Sequence, residues 1–144
     1  MMSTDLATFL NSPDGPQRFK RADAEQLAIF RRALTTKGYS SASVEITVQK
    51  ITVSIKAKHV RRLCEWYLAG DIDGVEIDYI ASALTLCPDF VLESESVNSG
   101  LYGLGELHGL GKLRPADEER ARVVEIFKEV GGEEQDADKK IGAG

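Results

Sequence analysis

Two helices and the turn between them, over residues 58–86, constrain this chain more than any other stretch. Val60, Leu63, Tyr67 and Leu68 fall at i, i+3, i+7 and i+8, the stripe of a half-buried helix. Gly70 stands where a left-handed residue closes a helix. Asp73, followed three residues later by Glu76, forms a capping box that opens a second helix at about Gly74. The stripe of that helix is Val75 (or Ile77), Ile80, Ala81 and Leu84, and Pro88 prevents its continuation. The pattern predicts a central αα-hairpin.

Around it the sequence predicts an α+β, helix-dominated fold of four to five helices. Ser3 or Thr4 can cap a short helix through Leu10, and Pro13-Asp14-Gly15-Pro16 reads as a turn. Asp23 with Gln26 forms another capping box, opening a helix through Leu27, Phe30 and Leu34 that Gly38 closes. Residues 44–56 change period: Val44, Ile46 and Val48, then Ile51, Val53 and Ile55, alternate with polar residues. Val44, Val48, Ile51 and Ile55 also fit a helical spacing, but the β-branched content favours a short strand pair or one bulged strand. Residues 100–113 place leucines at 101, 104, 107, 110 and 113 among five glycines, which predicts a broken or irregular helix. Pro115 and the acids Asp117, Glu118 and Glu119 suit the start of a last helix, with Val123, Ile126 and Val130 inward and Gly131-Gly132 ending it.

The chain of 144 residues is long enough for one core, expected within residues 1–131, with residues 132–144 as a solvated tail. No run of 18 apolar residues is present, so no membrane span is expected. Residues 1–10 lack the composition of a signal peptide, and Cys64 and Cys87 are read as reduced core thiols. A cytoplasmic location is the corresponding expectation.

Motifs for chemistry fail on their own spacing. A phosphate loop needs glycine at 106 and a hydroxyl at 113, where Glu106 and Leu113 stand. Asp71-Ile72-Asp73-Gly74 resembles part of a calcium loop, but Ala69 and Ile80 occupy two essential ligand positions. His59, His108 and the two cysteines have no zinc spacing, so neither metal nor cofactor is expected. Cys64 or Cys87 with His108 remains open as a nucleophile pair, because such partners meet in space rather than in sequence. Lys56, Lys58, Arg61 and Arg62 beside Trp66 and Tyr67 suggest nucleic acid, but the acidic segment that follows argues against it. A homo-oligomer held by the leucines of 101–113 is a further alternative.

That acidic segment is the strongest compositional feature. Residues 1–70 carry a balance of +5, whereas residues 71–111 contain eight acids and no Lys or Arg. Its bland reading is a solvated face that keeps the protein soluble. Its functional reading is a surface that steers a basic protein partner. In that reading Asp71, Asp73, Glu76, Asp78, Glu93 and Glu95 supply charge, and Tyr79 or Tyr102 an aromatic anchor.

Leu68-Ala69-Gly70-Asp71-Ile72-Asp73, followed by Glu76-Ile77 and Ala81, resembles a pattern in small bacterial immunity proteins, the antidotes encoded beside secreted protein toxins. The resemblance covers residues 58–86. The chain departs from it in the second helix, where Tyr79 and Ile80 stand in place of a frequent tryptophan. It implies a protein-binding role and transfers no residue assignment; the leading expectation is a non-enzymatic protein-binding module that occludes a basic enzyme.

Overall fold

The computed structural model describes residues 12–36, 53–86, 90–108 and 113–143. They form α1 (Gly15–Ala22), α2 (Ala24–Thr35), β1 (Val53–Ile55), α3 (Ala57–Ala69), α4 (Gly74–Leu86), β2 (Phe90–Leu92), α5 (Glu95–Gly105) and α6 (Ala116–Ala143). Among the described residues the fold is helix-dominated with one small sheet. The expected helix at residues 3–10, the Gly38 stop and the alternation of residues 44–52 lie outside the described residues.

The turn between α3 and α4 follows the sequence closely. Gly70 adopts φ 86°, a left-handed conformation that disfavours any Cβ. The Gly70 and Asp71 N–H groups donate back to Tyr67 O (3.0 Å) and Trp66 O (2.9 Å), closing α3. The Glu76 N–H donates to Asp73 Oδ1 and the Asp73 N–H to Glu76 Oε1, both at 2.8 Å, so the capping box is complete. At the other end of α3, the Lys56 N–H donates to His59 Nδ1 at 3.0 Å, the same device with imidazole as acceptor. Burial, then Lys58, Arg62 and Lys56, hold the His59 pKa below its ordinary value, which keeps that acceptor unprotonated.

The hairpin itself needs correction. α3 packs mainly on α6 and α4 mainly on α5, with only a minor contact between α3 and α4. The reason lies in α4, which buries every residue from Gly74 to Ala81 rather than one stripe. A helix enclosed on all sides needs several neighbours, and α2, α3, α5 and β2 all touch it. Ile72 in the turn is 2% exposed and helps draw α4 into the centre.

Among the described residues, Val53–Ile55 pairs in parallel with Phe90–Leu92, in the register Val53–Phe90, Ser54–Val91 and Ile55–Leu92, a partner outside the expected 44–56 stretch. Parallel strands need a long crossover, and α3 with α4 supplies it. Buried Ile55 and Phe90 tie this two-stranded sheet to the helical core.

Six helices among the described residues exceed the expected four to five. The additional one is α1, where Pro13–Pro16 reads as a turn in sequence. Pro16 instead occupies the first turn of the helix, the one helical position where a missing N–H matters little. The Asp23–Gln26 cap does not form: Asp23 is fully buried at the α1–α2 junction and its side chain caps nothing.

Residues 95–105 form a regular helix despite Gly100, Gly103 and Gly105. The Ser94 Oγ accepts from the Val97 N–H at 3.3 Å and starts it. A Cβ at Gly100 would stand 3.2 Å from Val130 Cγ2 and 3.3 Å from Val60 Cγ1; one at Gly103 would stand 3.0 Å from Ile126 Cδ1. These glycines let α5 approach α3 and α6 closely, so packing offsets the roughly 1 kcal/mol each removes from helix propensity. Leu101, Leu104 and Leu107 enter the core and are not available to an oligomer interface. Leu110 lies outside the described residues.

α6 runs through Gly131-Gly132 to Ala143, so the expected tail is helical. Val130 is anchored in the core at 1% exposure. Once nucleated, a helix propagates at low cost, and Glu133, Glu134, Gln135 and Ala137 are good helix formers. Among the described residues no helix is long and apolar enough to cross a membrane.

Candidate functional site

Tertiary structure divides the acidic segment into an exposed part and a buried part. The exposed part follows from how α5 is seated. Val97, Leu101 and Leu104 point inward at i, i+4 and i+7. Glu95, Ser99, Tyr102 and Glu106, at i, i+4, i+7 and i+11, therefore share the outer face, and all four are exposed. Glu93, also exposed, precedes it, and the face spans about 16 Å from Glu95 to Glu106 at the helical rise. Tyr102 sits between the acids at 50% exposure, and Val91 on β2 at 48%.

The remaining candidates lie elsewhere. Asp71 is half-exposed at the α3–α4 turn, and Asp73 is exposed there but bound to Arg31 Nη2 at 3.0 Å. Glu76 and Asp78 are 6% and 2% exposed, and Tyr79 is 1% exposed against Phe19 and Phe30. These three contribute to no surface, because α4 is enclosed all round. Burial raises the Glu76 pKa, which the Asp73 N–H and Lys20 partly oppose. Burial and Asp23 push the Tyr79 phenol up to about 12, and its hydroxyl has no hydrogen-bond partner among the described residues.

The buried part contains a polar cluster with no local signal in sequence. Glu119, at the start of α6, accepts from Tyr67 OH at 2.7 Å and bonds His108 Nε2 at 2.6 Å. His108 Nδ1 accepts the Arg114 N–H at 2.9 Å, so the ring proton is assigned to Nε2 and donated to Glu119. The His108 N–H donates to Asp78 Oδ2 at 3.1 Å. Gly74 is required beside this cluster: a Cβ there would collide with the Glu119 carboxylate. Glu119 thus occupies the anion position at the N-terminus of α4.

The cluster closes one side of a cleft of about 200 Å³ whose lining includes Arg31, Asp73, Gly74, Arg114 and Glu119. Its charges are largely matched internally. Arg31 binds Asp73, His108 binds Glu119, and Arg114 Nε donates to Leu107 O at 2.7 Å. Both ring nitrogens of His108 are engaged, so no free imidazole base faces the cleft. Burial pushes the Tyr67 phenol up, and its Glu119 acceptor adds to that shift.

A Cys64–His108 nucleophile pair has no basis in this geometry. Cys64 is fully buried, and burial, with a contribution from Glu65, pushes its thiol up to about 12. A nucleophilic cysteine needs the opposite shift. Cys87 lies outside the described residues. No group of three or more metal-ligating side chains occurs among the described residues. The basic stretch of α3 is likewise drawn into intramolecular contacts: Arg61 pairs with Glu65 at 3.3 Å and lies over Phe127, while Trp66 and Tyr67 pack on the core.

No protein-family model matches the chain, and no curated protein or solved structure matches it at a significant level.

Proposed function

We propose that this chain is a non-enzymatic protein-binding module that receives a basic protein partner on the outer face of α5. The observation that carries this reading is the alignment of Glu95, Tyr102 and Glu106 on one exposed helix face, with Glu93 beside it. Residues 71–111, which carry these acids, contain no Lys or Arg. Clustered charge of one sign accelerates encounter with an oppositely charged surface, and an exposed tyrosine at its centre supplies the contact that holds it. The resemblance of residues 58–86 to toxin antidotes supports a partner that is a basic toxin occluded by this face, with the cytoplasm as the place of binding.

The test is affinity capture from native cell extract with wild-type protein and a Glu93→Lys/Glu95→Lys/Glu106→Lys variant, at low and high salt. The expected result is a basic protein retained by the wild type, released by salt and not retained by the variant. A partner held equally by both proteins, or one that is itself acidic, refutes the electrostatic face.

A further inference from the structure

The peptide unit between Ile55 and Lys56 is held at both ends. Its carbonyl, Ile55 O, accepts the Glu93 N–H at 3.1 Å, and its amide, the Lys56 N–H, donates to His59 Nδ1 at 3.0 Å. One peptide plane therefore ties the end of β2 to the first turn of α3. A main-chain N–H can only donate, so the Nδ1 it meets carries a lone pair and the ring proton sits on Nε2. Protonating the ring would put an N–H where the Lys56 N–H already points, and two donors cannot bond each other. The imidazolium would also stand in the first turn of α3, at the positive end of the helix dipole. The ring is 7% exposed, so water is not at hand to replace the lost bond. Of the charged groups around it, Lys56 at the cap and Lys58 and Arg62 on α3 oppose protonation, and Glu93, just after β2, favours it.

We infer that His59 is an acid-released pin: as neutral imidazole it fixes the Ile55–Lys56 peptide between β2 and α3, and on protonation it frees that peptide, loosening the β1–β2 pairing and the start of α3 together.

Opening returns His59 to its ordinary value of 6.5, whereas the closed pin holds it lower, through burial first and then Lys58, Arg62 and Lys56. Below 6.5 the open state binds the additional proton, so closure weakens as the pH falls and is constant above that value. The opening constant should rise by up to about tenfold per pH unit until the closed ring is itself protonated. Glu76 and Asp78, whose pKa values burial raises, act in the opposite direction as the pH falls, and both are common to wild type and a His59 variant. The pin operates whether or not a partner occupies the α5 face.

The experiment is amide hydrogen exchange at Lys56 and Glu93, expressed as protection factors from about pH 5 to about pH 8 so that the intrinsic pH dependence cancels. In the wild type both should be constant above 6.5 and fall together below it, by up to about thirtyfold at pH 5. The Ile80 amide, inside α4, should keep the higher protection throughout, which marks the opening as local. His59→Gln supplies the amide oxygen of an ordinary capping box and does not titrate, so its protection factors should vary by less than about twofold. A change below about twofold in the wild type, the same fall in the variant, a fall at Lys56 without Glu93, or protection equal to that of Ile80 overturns the pin. Should His59→Gln fail to fold, the ring nitrogens of wild-type His59 can be titrated by nitrogen-detected NMR. An unprotonated Nδ1 at neutral pH with a midpoint below 6.5 upholds the pin, and a proton on Nδ1 or a midpoint at or above 6.5 overturns it.

Discussion

Three helical glycines respond to the same substitution in different ways, and Gly74 gives the sharpest case. Alanine at position 74 places a Cβ into the Glu119 carboxylate, which Tyr67 and His108 hold from two sides. Glu119 can yield only by leaving those donors. Each hydrogen bond to a carboxylate contributes about 1.5–3 kcal/mol, and the greater helix propensity of alanine returns at most about 1 kcal/mol. With both bonds lost, the expected net loss is about 2–5 kcal/mol. Gly131→Ala is the control: its Cβ meets nothing within 4 Å, and only the propensity gain of up to about 1 kcal/mol applies. Gly100→Ala falls between, since Val130 and Val60 must each give by a few tenths of an ångström. In urea, with a slope of about 2 kcal/mol/M, Gly74→Ala should lower the midpoint by about 1–2.5 M and Gly131→Ala raise it by up to about 0.5 M. An unchanged midpoint for Gly74→Ala, or equal losses at 74 and 131, refutes the close approach of Glu119 to α4.

Two further outcomes follow from the core. Tyr79→Phe removes a buried hydroxyl that has no partner among the described residues, so it should leave stability unchanged or raise it by up to about 2 kcal/mol in denaturant titration; a loss above about 1 kcal/mol would reveal a bonded hydroxyl. In a Cys87→Ser background, Cys64 should react with a thiol reagent at pH 7.5 only as fast as the protein unfolds, given its full burial and its thiol pushed up to about 12. Rapid stoichiometric labelling of the folded protein contradicts that assignment and restores a reactive thiol to consideration.

Local chemistry was legible in the sequence. Gly70, Asp73 and Glu76 alone set where α3 stops and α4 starts, because a left-handed stop and a reciprocal cap each involve residues within one turn of the chain. Helix dominance and the helical start after Pro115 were readable for the same reason. Of the proposed face, Glu93, Glu95 and Tyr102 were singled out from charge and aromatic character. Their exposure could not be known until Val97, Leu101 and Leu104 fixed how α5 is turned.

Only the tertiary structure decided the rest, because it depends on which distant surfaces meet. Glu76, Asp78 and Tyr79 read as surface acids and an anchor beside Asp71 and Asp73, yet α4 carries them inside, since its neighbours cover every side. The glycines of α5 read as helix breakers but serve as contact points for α3 and α6. Val53–Ile55 finds its partner 37 residues on, across the crossover that α3 and α4 build. Residues 58–86 therefore specified two helices and their joint; the burial of α4 decided that each packs mainly on another helix, and which acids of the segment lie at the surface.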